Sequence, residues 1–260
     1  MKVLLILLAL VPLCAQSQIE DNSFLLEEAY NQEWGVYQFI QQYQTFNNSN
    51  NFAYAFTNEL PITDKTHQFS YGFGYERYDG VEHGSITDTT LSYRWQPVNR
   101  DGLLVADRFG LIVPTGSVEK GTSSGVYGFE FVQAATITMA PQWMNHWNFG
   151  FKVLPEAKTS GVDKRRTLST FKAGTSFIYL LNDHFNLMLE GLLESGQGVD
   201  EEGNKTNETS FTINPGFRFD MNLNWKDTQI VPGVSFPTEL LNSPTQHAVL
   251  FYLSVEPKFY

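Results

Sequence analysis

Five histidines are the side chains in this sequence best suited to bind a metal ion or to carry a proton. They are His67, His83, His146, His184 and His247. No two of them stand four residues apart on one helical face or share a short motif of the kind that metal sites use. The sequence therefore predicts no metal site and no bound cofactor.

A serine or threonine activated by a histidine would indicate a hydrolase, for example one acting on membrane lipid. Ser176 and Ser254 lie on the polar face of the alternating segments described below, so neither would face lipid. Thr175 lies on the opposite face but has no histidine at a matching position along the strands. The Gly-Thr-Ser tripeptide at 121–123 lacks the lysine and the strand–helix context of a phosphate-binding loop. We therefore expect no catalytic residue and no enzymatic activity.

Composition narrows the class of protein. The chain has 28 acidic residues against 17 Lys and Arg, whereas nucleic-acid binding needs clustered basic residues. Aromatic residues make up 15% of the chain and cysteine occurs once, which argues against both a disordered chain and a disulfide scaffold. One folded domain remains, and it is either a large β protein or a membrane protein.

The first residues have the pattern of a secretory signal peptide. Lys2 precedes an apolar run over residues 3–11, and small or polar residues follow. Residues 1–17 are therefore predicted to be cleaved off during export. Cys14 leaves a lipoprotein as the alternative, although Leu13 is bulkier than the residue that usually precedes an acylated cysteine.

Alternation of apolar and polar residues is the strongest pattern in the rest of the chain. In residues 68–76 the rings of Phe69, Tyr71, Phe73 and Tyr75 alternate with Gln, Ser, Gly and Glu. Twelve segments share this pattern: 34–45, 51–61, 66–78, 84–96, 103–115, 125–140, 144–156, 167–182, 185–196, 206–221, 227–237 and 246–259.

Long alternating strands with large aromatic residues on one face are typical of a transmembrane barrel. Many of the segments exceed the length of soluble strands and suit the roughly 9–11 tilted residues that cross a bilayer. In lipid, only helices and closed barrels satisfy every backbone polar group. We therefore predict an all-β fold, a transmembrane antiparallel up-and-down β-barrel of about twelve strands over residues 34–260. Asp107 and Gln133 are exceptions to the pattern, because each stands at an apolar position of its segment.

The connections between these segments alternate in length, as in the outer-membrane proteins of Gram-negative bacteria. The longer polar loops Ser117–Gly125, Ala157–Arg166 and Gly196–Lys205 all follow odd-numbered strands. This pattern predicts that they lie outside the cell and that both termini lie in the periplasm. Outer-membrane lipid would surround the barrel, and the barrel-assembly machinery would bind its C-terminal strand, which ends in aromatic residues.

Charged residues on the polar face should point into the lumen, because an Arg or Lys facing lipid at mid-depth would cost roughly 2–4 kcal/mol. The residues that we expect to line the lumen and a solute path are Glu76, Asp88, Arg94, Arg108, Glu130, Lys152, Lys172, Glu190 and Arg218. One hypothesis is that the arginines of this set face its glutamates across a narrow pore. The alternative is that these charges only bridge and fill the barrel.

Residues 18–33, which precede the first strand, have the pattern of a short amphipathic helix. Such a helix is too short to be stable alone in water, so it needs a partner surface. Phe24, Leu25 and Tyr30 are the apolar residues expected to contact that surface. The segment either caps the periplasmic mouth of the barrel or inserts as a small plug, and a disordered leader is the third alternative.

Two short stretches resemble a known family. The stretch NSFLLEEAYNQE at residues 22–33 is similar to the N-terminal signature of outer-membrane proteins named for the MetA pathway of phenol degradation, also called a transporter family. The stretch FGLIVPTG at residues 109–116 resembles that family's recurrent Pro-Thr-Gly at a strand end. The resemblance implies a channel for small, often aromatic or hydrophobic, molecules.

The sequence thus favours a porin-like channel or transporter in the outer membrane, for passive passage of a small-molecule solute. A closed structural or adhesive barrel that passes nothing is the second hypothesis. A lipid-modifying barrel enzyme is the third and least favoured.

Overall fold

The computed structural model describes residues 22–47, 49–78, 83–241 and 245–259, so the predicted signal peptide lies outside the described residues. Within these ranges the chain forms fifteen strands and one turn of 3-10 helix, Trp225–Asp227. The long strands are β1 (Gln38–Phe46), β2 (Phe52–Pro61), β3 (His67–Arg77), β5 (Thr89–Arg100), β6 (Leu103–Val113), β7 (Gly128–Ala140), β8 (Trp143–Thr159), β9 (Val162–Asn182), β10 (Phe185–Val199), β11 (Lys205–Phe219), β13 (Thr228–Ser235) and β15 (Gln246–Glu256). The short strands are β4 (Ser85–Ile86), β12 (Met221–Leu223) and β14 (Thr238–Glu239).

The strands close into one antiparallel barrel with twelve strand positions. Each long strand pairs with the next along the chain, and β13 and β14 together occupy the position between β11 and β15. Pairing of β1 with β15 closes the sheet, in a register that runs from Phe39 opposite Val255 to Phe46 opposite Ala248. Closure leaves no unpaired edge, which is the condition for a sheet to cross a bilayer. The predicted barrel is confirmed.

The outer face carries the aromatic residues that the alternation predicted. Phe109, Phe131 and Phe151 form a ladder across β6, β7 and β8, with ring centroids 5.2 Å and 5.6 Å apart. The two exceptions to the alternation lie directly opposite each other in the register of β6 and β7. Gln133 Nε2 donates a hydrogen bond to Asp107 Oδ1 at 2.9 Å, so these two polar side chains satisfy each other on the outer face.

One predicted loop is mostly strand. The ladder of β8 and β9 continues past a bulge at Glu156, which has a φ of 52°, and pairs Ala157 with Arg166. The predicted loop Ala157–Arg166 is therefore a hairpin with its turn at residues 160–161. The alternation of apolar and polar residues did not predict this part of the strands. A strand that projects beyond the bilayer needs no apolar face, so charged residues can stand at every position. Strands of 17 and 21 residues are well above the roughly 9–11 that a bilayer requires.

The N-terminal segment is not the predicted helix. Residues 22–33 form bends without helical hydrogen bonding, and they lie inside the barrel. The barrel wall supplies hydrogen-bond partners to this backbone, so the segment does not need those that a helix would provide. Among the described residues, no helix is long and apolar enough to cross a membrane.

The longer connections lie at one end of the barrel, and the short turns lie with the N-terminal end of β1 at the other. We expect the turn at residues 200–204 to be outside the cell and the turn at Asp183 to be in the periplasm. A protease site or epitope tag inserted at Glu201 should be accessible in intact cells, whereas one at Asp183 should become accessible only after the outer membrane is opened. The reverse pattern would mean that the barrel is inserted with the opposite orientation.

Candidate functional site

Residues 22–33, called the plug from here on, cross the interior of the barrel. Phe24 is 4% exposed, and its carbonyl accepts a hydrogen bond from Gln42 Nε2 on β1 at 2.7 Å. The N–H of Leu25 donates to both carboxylate oxygens of Glu190 on β10, each at 3.2 Å. Because β1 and β10 are well separated around the wall, a segment bound to both must pass through the lumen.

Side chains of the barrel wall satisfy the backbone of the plug. The plug N–H groups that donate to a wall hydroxyl or amide are those of Glu27 (to Asn148 Oδ1, 2.7 Å), Ala29 (to Thr136 Oγ1, 3.0 Å), Asn31 (to Gln96 Oε1, 3.3 Å) and Gln32 (to Gln68 Oε1, 2.8 Å). Leaving such groups unpaired in a closed interior would cost about 1–3 kcal/mol each. The inward amides and hydroxyls of the wall therefore have a specific role in binding the plug.

An ion cluster holds the middle of the plug. Arg108 donates to the carboxylate of Glu27 through Nε, 2.9 Å from each oxygen, and through Nη2 at 2.6 Å. Arg94 approaches the same carboxylate at 3.4 Å and donates from Nη1 to the carbonyl of Tyr30 at 2.8 Å. Asn148 Nδ2 donates to the carbonyl of Glu27 at 2.7 Å. Both the side chain and the backbone of Glu27 are therefore fixed by the wall.

The two arginines also bind groups of the wall itself. Arg108 Nη1 donates to Ser92 Oγ at 3.0 Å and forms an ion pair with Glu130 on the adjacent strand β7. Arg94 Nη2 lies 3.5 Å from Glu59 Oε1 on β2. The hypothesis that arginines and glutamates face each other across an open pore is therefore replaced by a different geometry, in which they pair beside one another and with the plug.

Apolar contacts anchor the tip of the plug. The Phe24 ring meets Tyr252 edge to face, with centroids 5.8 Å apart. It lies so close to Gly216 and Gly233 that a Cβ on either glycine would stand 2.6 Å or 2.8 Å from a carbon of the ring. Leu26 lies against Gly174 in the same way. Small inward residues thus form the recess that holds the plug.

The apolar part of the lumen was not predicted from the sequence. The buried cluster around Phe24 consists of Ile40, Met144, Ile178, Leu180, Met188, Leu250 and Tyr252. A signal for it exists where both faces of a strand are apolar, as in the run Ile178-Tyr-Leu-Leu181 and in Leu187-Met-Leu189. Such runs indicate a strand with lipid on one side and a packed interior on the other.

The plug separates two cavities. A cavity of about 440 Å³ lies on the side of the longer loops, between the plug residues Asn22–Glu27 and wall residues of β1 to β7 and β15, such as Gln44 and Tyr252; Asp88, just before β5, also lines it. A cavity of about 300 Å³ lies at the opposite end, where it is lined by Tyr30–Glu33 and by Lys258. The plug forms part of the wall of each cavity.

The predicted lumen residues fall into three groups. Those that line the larger cavity are Glu76, Asp88, Arg94, Arg108 and Glu130. Glu190 and Arg218 are buried against the plug, and Arg218 Nη1 donates to the carbonyl of Asn22 at 2.6 Å. Lys152 and Lys172 share the inner face, since they are the register partners of Glu130 and Gly150.

Of the plug residues, Phe24 and Leu25 line the larger cavity, whereas Tyr30 lines the smaller one.

An exposed ion pair holds the base of the plug at the rim. Lys65 Nζ, in the turn between β2 and β3, lies 2.9 Å from Glu33 Oε1. The hydrogen bond and the charge of Lys65 lower the pKa of the Glu33 carboxyl from its ordinary value. As both side chains are solvated, this pair contributes little stability. The buried contacts of the plug therefore dominate its retention.

Ser176 and His146 place a hydroxyl and an imidazole side by side in the lumen, and both groups form hydrogen bonds that hold the structure together. Ser176 and His146 are register partners, but Ser176 Oγ is bonded to Ser23 Oγ of the plug at 3.0 Å, and His146 Nδ1 lies 2.8 Å from Thr136 Oγ1. Both residues are fully buried. In the described part of the chain, no group of three or more His, Cys, Asp or Glu side chains is placed to hold a metal ion.

Replacing Gly233 by alanine should loosen the plug, because the new Cβ would stand 2.8 Å from Cε1 of Phe24. This distance is shorter than carbon atoms tolerate, so the ring must shift from its position in the recess. We expect hydrogen exchange at the amides of Leu25 and Glu27 to accelerate by roughly tenfold, the effect of about 1.4 kcal/mol.

The matched control is Gly191→Ala on the outer face of β10, where the nearest atom to a new Cβ is a ring carbon of Phe211 at 3.6 Å. This variant should exchange at the rate of the unmodified protein. Equal exchange in the Gly233 and Gly191 variants would show that the recess does not retain Phe24.

Comparison of the sequence with models of known protein families finds no match, and comparison with curated proteins finds none either. The resemblance of residues 22–33 and 109–116 to the phenol-degradation family therefore stays an expectation.

Solved structures do share the fold. The KdgM porin superposes with a TM-score of 0.53 at 10% sequence identity, over 86% of this chain and 99% of that chain. The COG4313 outer membrane channel from Pseudomonas putida F1 gives a TM-score of 0.59 at 12% identity, over 87% and 97%. The NanC porin gives 0.52 at 8% identity, over 84% and 98%. At these identities the likeness concerns the fold alone, which is that of an outer-membrane barrel.

Proposed function

We propose that this chain is an outer-membrane channel for small molecules and that the plug closes its lumen at rest. The observation that carries the proposal is the position of the plug between two cavities, each of which lies toward one end of the barrel. Passage of a solute then requires the plug to move. The barrel supplies the path, and residues 22–33 supply the gate.

The contacts of the plug suit a reversible gate. They include hydrogen bonds, an ion cluster and an aromatic contact, and each hydrogen bond between neutral groups has a net worth of about 0.5–1.5 kcal/mol. The plug forms no strand with the wall, so its release breaks no barrel ladder. The barrel can therefore stay folded while the plug leaves the lumen.

The same proposal assigns the rest of the chain. Residues 1–17 act as a cleaved signal peptide, residues 18–33 form the periplasmic N-terminal segment that includes the plug, and residues 34–260 form the barrel. Strand β15 forms the closing seam with β1, which makes it the natural element for the barrel-assembly machinery to bind. In this assignment outer-membrane lipid surrounds the exposed aromatic residues of the outer face.

A closed structural barrel is the competing function, since a plugged lumen would also serve it. The experiment uses cysteines at Ser23 and Ser176, whose hydroxyl oxygens lie 3.0 Å apart. The native chain has one cysteine, Cys14, in the predicted signal peptide. A disulfide between the two new cysteines would fasten the plug to β9.

We expect the oxidised double variant to pass arabinose into liposomes at no more than about a tenth of the rate of its reduced form. Liposome swelling measures this rate, and planar-bilayer conductance provides a second readout. The single variant Ser23→Cys is the control and should not respond to oxidation. Equal rates in both redox states would show that the plug is not the gate. Absence of any passage in the reduced form and in the unmodified protein would establish the closed barrel instead.

A further inference from the structure

We infer that Arg94 and Arg108 form a binding site for the carboxylate of a small organic acid with an apolar body, and that Glu27 of the plug occupies this site at rest. The inference rests on the proposed function, because a solute reaches the whole site only when the plug moves. It adds a chemical class of solute and a mechanism by which that solute opens the gate.

The geometry of Glu27 is that of a bound carboxylate ligand. Arg108 presents Nε and Nη2 to its two oxygens at 2.6–2.9 Å, which is the forked pattern by which arginine recognises carboxylates. Arg94 adds a second guanidinium at 3.4 Å. A free carboxylate of the same size would find the same donors if Glu27 were absent.

The barrel wall binds Arg108 and also contacts Arg94. Ser92 and Glu130 bind Arg108 Nη1, and Glu59 lies against Arg94. All three partners belong to strands of the wall. Arg108 is therefore preorganised, so a ligand that replaces Glu27 does not have to order it, whereas Arg94 exchanges its bond to the Tyr30 carbonyl for the new carboxylate.

The positive charges around Glu27 favour replacement of its carboxylate by another anion over a site that is left empty. Arg108, Arg94 and Lys172 all attract the carboxylate of Glu27. Arg94 is only 3% exposed, and a buried arginine that loses its counter-ion is costly. Glu59 compensates Arg94 only in part, so departure of the plug alone leaves the two arginines short of one negative charge, whereas exchange of one carboxylate for another keeps the charge balance.

The apolar part of the solute has a matching surface in the same cavity. Ile40, Leu250 and Tyr252 line the larger cavity together with Arg94 and Arg108. In the closed state Phe24 of the plug covers Tyr252. The plug thus presents an aromatic ring and a carboxylate to the wall, three residues apart, and a small aromatic acid carries the same two groups.

The first experiment measures binding of benzoate to the purified full-length barrel in detergent, with benzyl alcohol as the uncharged analogue. Glu27→Gln removes the competing anion, so benzoate should bind about tenfold more tightly than to the unmodified protein, while benzyl alcohol should change by less than about twofold. Adding Arg108→Gln to that variant should weaken benzoate binding by about tenfold again. Glu119→Gln, which removes an exposed acid in the loop after β6, is the matched control and should have no effect.

The second experiment measures movement of the plug. Ser23 is 2% exposed, so a cysteine at this position should react slowly with a maleimide. Benzoate should accelerate the reaction of the Ser23→Cys variant by several-fold, and benzyl alcohol at the same concentration should not.

These results separate the inference from the proposed function. If benzoate and benzyl alcohol respond alike to Glu27→Gln, the carboxylate site is wrong even where the reduced disulfide variant still conducts. If benzoate binds as expected while no form of the protein conducts, the channel is wrong and the site remains as a ligand site of a closed barrel. Should the Arg108 variant fail to show the heat-modifiable mobility of a folded barrel, Arg94→Gln replaces it, and the comparison of Glu27→Gln with the unmodified protein decides the matter by itself.

Discussion

The plug can lie in the lumen only because the wall provides hydrogen-bond partners for its peptide groups. A segment without helix or strand carries unpaired N–H and C=O groups, and an enclosed interior does not tolerate them. Asn148, Thr136, Gln96 and Gln68 supply these partners from four different strands. This requirement explains why so many inward positions are amides and hydroxyls rather than aliphatic residues. The same side chains would face water in an open pore, so the wall is suited to both states.

The ion cluster of Arg94, Arg108 and Glu27 adds a charge interaction to the hydrogen bonds between wall and plug. Arg94 and Arg108 lie on neighbouring strands as register partners, and two adjacent arginines repel each other unless carboxylates lie between them. Glu59 and Glu130 provide part of the compensation from the wall, and Glu27 provides the rest from the plug. The arrangement therefore links the charge balance of the lumen to the position of the gate. Residues whose charges only fill a barrel would be compensated by the wall alone.

The sequence was informative about the outer face and much less so about the interior. Contact with lipid imposes one requirement on every outward position, so alternation alone predicted the barrel and nearly all of its strands. The interior follows no such rule. Ile178 and Leu180 are inward and apolar because Phe24 packs in their cluster, whereas Asn214 on β11 is inward and polar because it donates to Glu190. Both depend on where a segment distant in the chain comes to lie. The apolar runs at residues 178–181 and 187–189 indicate that something packs inside these strands, but they do not indicate which segment it is.

The failure to predict the conformation of the plug has the same origin. The spacing of Phe24, Leu25 and Tyr30 allows an amphipathic helix, but a helix would use the N–H groups of residues such as Ala29 and Gln32 for its own hydrogen bonds. In the lumen those groups bind the wall instead. Burial of Phe24 beside two glycines and the ion cluster at Glu27 then outweigh the helical preference of so short a segment.

A gate tethered to the barrel also limits how tightly a competing solute can appear to bind. The plug is joined to β1 by a few residues only, so its effective concentration at the arginines is on the order of millimolar or above, as for other short flexible tethers. A free carboxylate must compete with that concentration, so its apparent affinity is weaker than its intrinsic affinity for the site. Weak apparent binding suits a channel, because a solute that entered a tight site would not leave it on the other side. Through the tether, the plug thus sets the range of solute concentration over which the channel opens.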